Sequence, residues 1–210
     1  MKKVLVMALG LLGIQGAGEA GTVLSVDTPP TVFAGAATFA SSWTQTGSYS
    51  NVTVTALVTN ASGIGLTFDY HAYLTNALGA GTTVANEIAS TAFTLQPGLN
   101  QPIALFSGLT LGSGTYFLVI APDAGASAIT GWSTVNSVPS VTLDTGVTHG
   151  TDRISQSTTG YAPARTFSNL TGGRYAYSVV AVDPAVPEPA TTALLGAGLL
   201  LIGLGVRYRR

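Results

Sequence analysis

Between Asn51 and Thr59 the chain reads NVTVTALVT, with valine and threonine taking turns along part of its length. Successive side chains of a strand point to opposite faces, so this pattern predicts a strand with one apolar and one hydroxyl-bearing face. GLTFDYHAYLT, Gly65 to Thr75, sets Leu66, Phe68 and Tyr70 against Thr67, Asp69 and His71 in the same way. TYFLVIA, Thr115 to Ala121, is mostly apolar and predicts a central strand. SVTLDTG, Ser140 to Gly146, predicts a short strand running into a turn, and RYAYSVVAVD, Arg174 to Asp183, a last strand dense in β-branched and aromatic residues. ANEIASTAFTL, Ala85 to Leu95, fits a turn of helix and a strand equally. GSG, QPG, PDAG and TGG punctuate these runs with residues that favour turns.

Many short strands at regular spacing predict an all-β fold, an antiparallel β-sandwich of jelly-roll-like or immunoglobulin-like form, over residues 21–183. Phe39, Trp43, Phe68, Phe117 and Tyr177 are the expected core aromatics. One internal echo stands out. FSGLTLGSGTYFLVIAPD from Phe106 and FSNLTGGRYAYSVVAVD from Phe167 share Phe-Ser-x-Leu-Thr, a glycine turn, a strand led by tyrosine, and a final Asp. Two similar hairpins, each with its tyrosine ring packed on the turn, are the expected structure.

The two ends follow another grammar. Lys2 and Lys3 precede an apolar run from Val4 to Ile14, and Gly18 and Ala20 stand at minus three and minus one of a cut before Gly21. That layout predicts a secretory signal peptide over residues 1–20. At the other end Ala190 to Val206 carries no charge. As a helix it would be about 25 Å long, near the lower limit for crossing a hydrocarbon core. Pro187 and Pro189 block its extension upstream, and Arg207, Arg209 and Arg210 follow it. Arginines resist translocation, so the expected arrangement is body outside, basic tail inside. The expected order is therefore signal peptide 1–20, β-sandwich 21–183, linker 184–189, transmembrane helix 190–206 and cytoplasmic tail 207–210.

Val186, Pro187, Glu188, Pro189 and Ala190, then the apolar run, then the arginines, resemble the PEP-CTERM sorting signal of Gram-negative bacteria. The resemblance covers about 25 residues, and Tyr208 interrupts its arginine cluster, although an aromatic suits an interface. It implies recognition of Pro187, Glu188 and Pro189 by an exosortase-like membrane processing enzyme. It also implies transient inner-membrane anchoring, a final place at the cell surface or in the extracellular matrix, and an association with exopolysaccharide and biofilm. It implies an address and no activity.

Composition narrows the chemistry. Charged residues are 8% of 210, against about 25% in an ordinary domain. Between Gly21 and Val186 seven acids face three arginines and no lysine, so a phosphate-neutralising patch is absent and nucleic acid is not an expected partner. No cysteine is available for disulfides, thiolate zinc sites or thiol chemistry.

His71 and Asp69 share a strand face at i, i+2 and suggest a carboxylate–imidazole pair, with the exposed side of an edge strand as the plainer reading. Asp144, His149, Asp152 and Ser155 lie close in sequence, but no Gly-x-Ser-x-Gly elbow accompanies them. Asp144-Thr145-Gly146 is a single triplet of the aspartic-protease kind and reads as a β-turn. Asp123, Asp144 and Asp152 offer oxygens to a fold-stabilising calcium ion without forming a recognised calcium loop.

No enzyme, cofactor or catalytic residue is expected. The leading expectation is an exported structural or adhesive surface protein. The alternative is a carbohydrate-binding module, in which exposed aromatics would stack on sugar faces. Trp43 and Trp132 are its possible ligand contacts, with Tyr49, Tyr73 and Tyr161 beside them in or near loops.

Overall fold

A computed structural model describes residues 20–27, 32–33, 37–62, 65–123, 130–135, 140–171 and 173–182. The expected signal peptide, up to residue 19, and everything from residue 183 onward lie outside them, as do Pro187, Glu188, Pro189 and the apolar run 190–206. In chain order the strands are β1 (Ala20–Asp27), β2 (Val32–Phe33), β3 (Thr38–Gln45), β4 (Tyr49–Asn60), β5 (Phe68–Thr75), β6 (Glu87–Leu95), β7 (Gly98–Leu111) and β8 (Gly114–Pro122). They continue as β9 (Thr130–Val135), β10 (Ser140–Leu143), β11 (Val147–His149), β12 (Arg153–Ser155), β13 (Ser168–Asn169), β14 (Arg174–Tyr175) and β15 (Tyr177–Val182). Single 3-10 turns at Val84–Asn86 and Ala162–Ala164 are the helical elements among the described residues.

The strands form two antiparallel sheets, a β-sandwich-like arrangement. One runs β10-β1-β15-β4-β9-β14, with β2 on β9 and β7 on β4. The other runs β13-β12-β3-β8-β5-β6, with β11 on β3. Alternation sets the faces. In β4, Val52, Val54, Ala56 and Val58 are buried while Thr53 and Thr55 stay half-exposed. They meet Tyr70, Ala72 and Leu74 of β5 and Tyr116, Leu118 and Ile120 of β8 in one continuous core.

The opposite face of β8 is covered as well. Val119 and Ala121 pack with Ala40 and with Ala162 of the second 3-10 turn, and Tyr73, Phe117 and Phe167 close around them. Hence TYFLVIA is apolar on both faces, and β8 does sit centrally, between β3 and β5. Of the expected core aromatics, Phe39, Trp43 and Tyr177 are buried, Phe68 packs half-buried on the main core, and Phe117 serves the second cluster instead.

The last expected strand is broken at Ala176. Arg174 and Tyr175 pair with β9, while Tyr177 to Val180 pair with β4. Ala176 fills the gap: its carbonyl accepts from Leu57 N at 3.0 Å and its N–H donates to Ser133 O at 3.0 Å. The echo segments are not hairpins. β7 lies in the eight-stranded sheet and β8 in the seven-stranded one, whereas β13 leads from the seven-stranded sheet to β14 and β15 in the eight-stranded one. The shared grammar marks two crossings between sheets in opposite directions. Tyr116 does pack back on its turn, donating to Gly112 O at 2.7 Å, whereas Tyr175 donates to Arg153 O at 3.1 Å.

The residues Ala20–Val182 form one compact unit. β1 and β15 close it: Ala20 pairs with Val182, Gly21 with Ala181 and Thr22 with Val180. The first and last described residues are therefore neighbours across one ladder.

Candidate functional site

Both tryptophans are buried, with relative exposures of 0%. Trp43 lies on β3, where its Nε1 donates to Gln45 Oε1 at 3.0 Å and its ring stacks on Tyr116 at 5.4 Å. Trp132 lies on β9. Its Nε1 donates to Ala176 O at 2.8 Å, and its ring stacks on Tyr175 with centroids 4.7 Å apart. The same indole meets the Tyr177 ring edge at 5.8 Å. Such pairs add about 0.5–1.5 kcal/mol each beyond their area. The expectation that these two indoles contact a ligand from the surface is corrected here: both belong to the interior, and Trp132 holds the carbonyl at the β14–β15 break.

The remaining tyrosine candidates are half-buried. Tyr49 donates to Asp144 Oδ2 at 2.9 Å. Tyr73 and Tyr161 meet edge to face at 5.5 Å, Tyr161 donates to Glu87 Oε2 at 2.9 Å, and His71 lies beside Tyr73 at 5.9 Å. Burial, then the bond to Glu87, raises the Tyr161 phenol well above its ordinary value.

The pairing of His71 with Asp69 is also corrected. His71 Nδ1 stands 3.1 Å from Asp123 Oδ1, while Asp69 Oδ1 accepts from Thr94 at 2.7 Å. β5 lies between β8 and β6 and is no edge strand. The partner Asp123 is 52 residues away and lies beyond the reach of i, i+2 reasoning.

A buried group of ionisable side chains surrounds His149. β11 brings His149 against Trp43 of β3, and the adjoining chain supplies Asp152. Both are nearly sealed, with side-chain exposures of 4% and 3% and 3.7 Å between His149 Nε2 and Asp152 Oδ1. Ser41 Oγ lies 3.4 Å from the same Nε2 and donates to Tyr177 Oη at 3.1 Å. Arg174 Nη1 donates to His149 Nδ1. That contact makes Nδ1 the acceptor and leaves the proton of the neutral ring on Nε2. Asp152 Oδ2 accepts from Tyr175 N at 3.3 Å, and Oδ1 is a buried oxygen with no hydrogen-bond partner. Burial, then the Arg174 guanidinium, lowers His149 to about 4. Burial raises Asp152 to about 6, against the bond from Tyr175 N and the Arg174 and Arg153 charges.

This is not a hydrolytic triad. A triad has the acid on Nδ1, the serine on Nε2 and a serine open to substrate. Here an arginine holds Nδ1, acid and serine crowd Nε2, and Ser41 is fully buried. Ser155, the sequence's own serine candidate, accepts instead from Ser157 N at 3.3 Å. The cluster is structural: it joins β3, β11, β14 and β15 through one set of polar contacts. Sequence reading missed Ser41 and Arg174, which lie 108 and 25 residues from His149, and it expected Tyr177 as core without its bond to Ser41, 136 residues away. No local spacing announces them.

Asp144-Thr145-Gly146 is the turn between β10 and β11, with Val147 N donating to Asp144 O at 3.1 Å and Gly146 at φ 76. The three possible calcium ligands are apart: Asp123 pairs with His71, Asp144 with Tyr49, and Asp152 is buried. Among the described residues no group of three or more His, Cys, Asp or Glu could hold a metal ion. Among them, too, no helix is long and apolar enough to cross a membrane.

What the described residues define is a two-sheet antiparallel protein with a polar cluster sealed inside as structure. Residues 185–210 match the PEP-CTERM protein-sorting motif. The chain carries a PEP-CTERM sorting motif, which marks it for export to the cell surface or beyond, and an exosortase-like sorting enzyme is the partner its motif implies. No curated protein and no solved structure matches the chain.

Proposed function

We propose that residues 190–206 hold the exported chain in the inner membrane until an exosortase-like enzyme reads Pro187, Glu188 and Pro189, and that the body then serves as a structural or adhesive module in an exopolysaccharide-rich matrix. The sorting motif at residues 185–210 carries this reading. Physical chemistry supports it. Two prolines disfavour helix before the apolar run and keep backbone accessible. Glu188 is the one charge between Asp183 and Arg207, a handle at the outer interface. Threonines on the outer side of β4 and Ser90 and Thr94 on β6 offer hydroxyls to a hydroxyl-rich polymer with little charge selectivity.

The second reading, carbohydrate binding, draws on one observation. Tyr73, Tyr161 and His71 group on the outer face of the seven-stranded sheet, with Asp123 and Glu87 as neighbouring carboxylates. Rings beside hydrogen-bond acceptors suit a sugar better than either buried tryptophan does.

Glu188→Ala in the native host tests the sorting role. Export continues, tail removal stops, and the protein accumulates in the membrane at full mature mass, as read by mass spectrometry of membrane and surface fractions. Processing at the wild-type rate would show that Glu188 is not read. Retention of Tyr73→Ala/Tyr161→Ala protein on immobilised host exopolysaccharide separates the two readings of the body: the sugar site predicts at least a tenfold loss, about the worth of one lost stacking contact.

A further inference from the structure

Among the described residues each sheet ends in strands whose outward side has no partner strand, and a long regular edge of this kind pairs readily with another chain. Most edges here are short or broken. β10 has 4 residues, and β13 and β14 have 2 each. β7 is long but irregular: it contains Pro102, its register with β4 shifts at four places, and Asn100 and Gly108 have φ of 50 and 71. Proline and bulges are the devices that protect an edge.

β6 has no proline, and its one register shift lies at its Glu87 end, between Leu74 and Thr75 of the neighbouring strand. It ends the order of the seven-stranded sheet, and among the described residues its one ladder is with β5. That register runs unbroken from Phe68 opposite Leu95 to Leu74 opposite Ala89. Glu87–Leu95 contains no Lys, Arg, Pro or Gly. Its outer face carries exposed Ile88, Ser90, Ala92 and Thr94, and its inner face leaves Ala89, Thr91 and Phe93 half-buried. Ala89 and Phe93 rest on the core, where Phe93 stacks on Tyr70 at 5.8 Å.

We infer that β6 is the edge through which two copies of this chain pair, antiparallel, about a two-fold axis at Thr91. The strand complements itself in that register. Keeping core face with core face requires pairs of equal parity, so Thr91 meets Thr91, Ala89 meets Phe93 and Ser90 meets Ala92 of the second copy. Small stands opposite large on the core side, and small opposite small on the outer side. Charge selects the orientation. Glu87 is the strand's one charge. Antiparallel pairing sets the two copies of it about 27 Å apart along the ribbon, well beyond the screening length at physiological salt, whereas parallel pairing would place them side by side. The two seven-stranded sheets then become one continuous sheet, and each copy covers the other's open rim at Phe93.

The chain has no cysteine, so one introduced thiol reports the geometry without competition. The full chain in mild detergent is examined by sedimentation velocity at micromolar concentrations. Wild type is expected to sediment as a dimer. Ser90→Lys/Ala92→Lys puts like charges opposite each other at exposed positions and weakens the dimer at least about tenfold, with an unchanged circular dichroism spectrum. Mixing it with Ser90→Glu/Ala92→Glu restores a mixed dimer. Thr91→Cys is linked to itself by a short bismaleimide, while Thr44→Cys, exposed on β3, is not. A monomeric wild type, an open-ended polymer, a dimer that survives the lysine pair, or equal linking of the two cysteine variants would each overturn the inference.

Discussion

Asp152 and His149 hold opposite stakes in acidity. An unfolded histidine takes up its proton near 6.5, while His149 in the fold does so only near 4. Across that window the unfolded chain binds more protons, so acidification withdraws stability. Asp152 in the fold protonates near 6 and its unfolded counterpart near 3.8, so acidification adds stability across nearly the same range. The two contributions offset each other between about pH 6 and pH 4. Asp152→Asn leaves the histidine alone, and its stability is expected to fall by on the order of 2 kcal/mol from pH 6.5 to pH 4. His149→Gln leaves the acid alone, and its stability rises as pH falls from 6 toward 4. Urea midpoints measured across this range check both signs; parallel profiles for the two variants would contradict the offset. Trp132→Phe keeps an aromatic ring but removes the donor to Ala176 O and leaves part of the indole's space empty, and should cost about 2–4 kcal/mol in the same assay.

At the scale of elements, Gly146 has the sharpest requirement. Its φ is 76, and a Cβ there would lie 2.2 Å from Thr46 Oγ1. Gly146→Ala should therefore destabilise by about 1–3 kcal/mol, seen as a lowered thermal midpoint, because the β10–β11 turn must shift. The elements were unevenly legible in the sequence. β4 and β5 declared themselves by alternation, because each has one wet and one dry face. β7 was hidden up to Phe106, where the echo suggested a short strand: Pro102 and Gly108 look like turn residues, and they are tolerated because they lie on an edge with shifted register. Ala85 to Leu95 resolves into both of its readings, the end of a 3-10 turn and then β6. The break at Ala176 had no local sign, since it is set by partners contributed by β4 and β9. The tryptophans failed as site markers for a related reason. Whether an aromatic at a strand position faces solvent depends on the opposing sheet, and no nearby residue records that. The sorting signal was legible because it is linear and needs no fold to be read.

The compact unit Ala20–Val182 is closed by its own two ends, with Ala20 and Val182 paired across more than 160 residues of sequence. β15 lies between β1 and β4, so the eight-stranded sheet lacks an interior strand until the chain has been made through Val182. A chain ending at Gly173 is expected to be digested by limited proteolysis under conditions that spare the full body; equal resistance would show that β1 and β4 find another arrangement. The cut expected before Gly21 falls inside the same ladder, so cutting and closure compete for one piece of backbone. The position of β15 also has a mechanical meaning. Residues beyond Val182 leave from the end of a strand gripped on both flanks by β1 and β4. A pull along that strand loads the bonds of both ladders together, in shear, whereas a pull on an edge strand peels its bonds one after another. Under the anchoring proposed above, drag on the body would be met by rows of hydrogen bonds that have to slip at once.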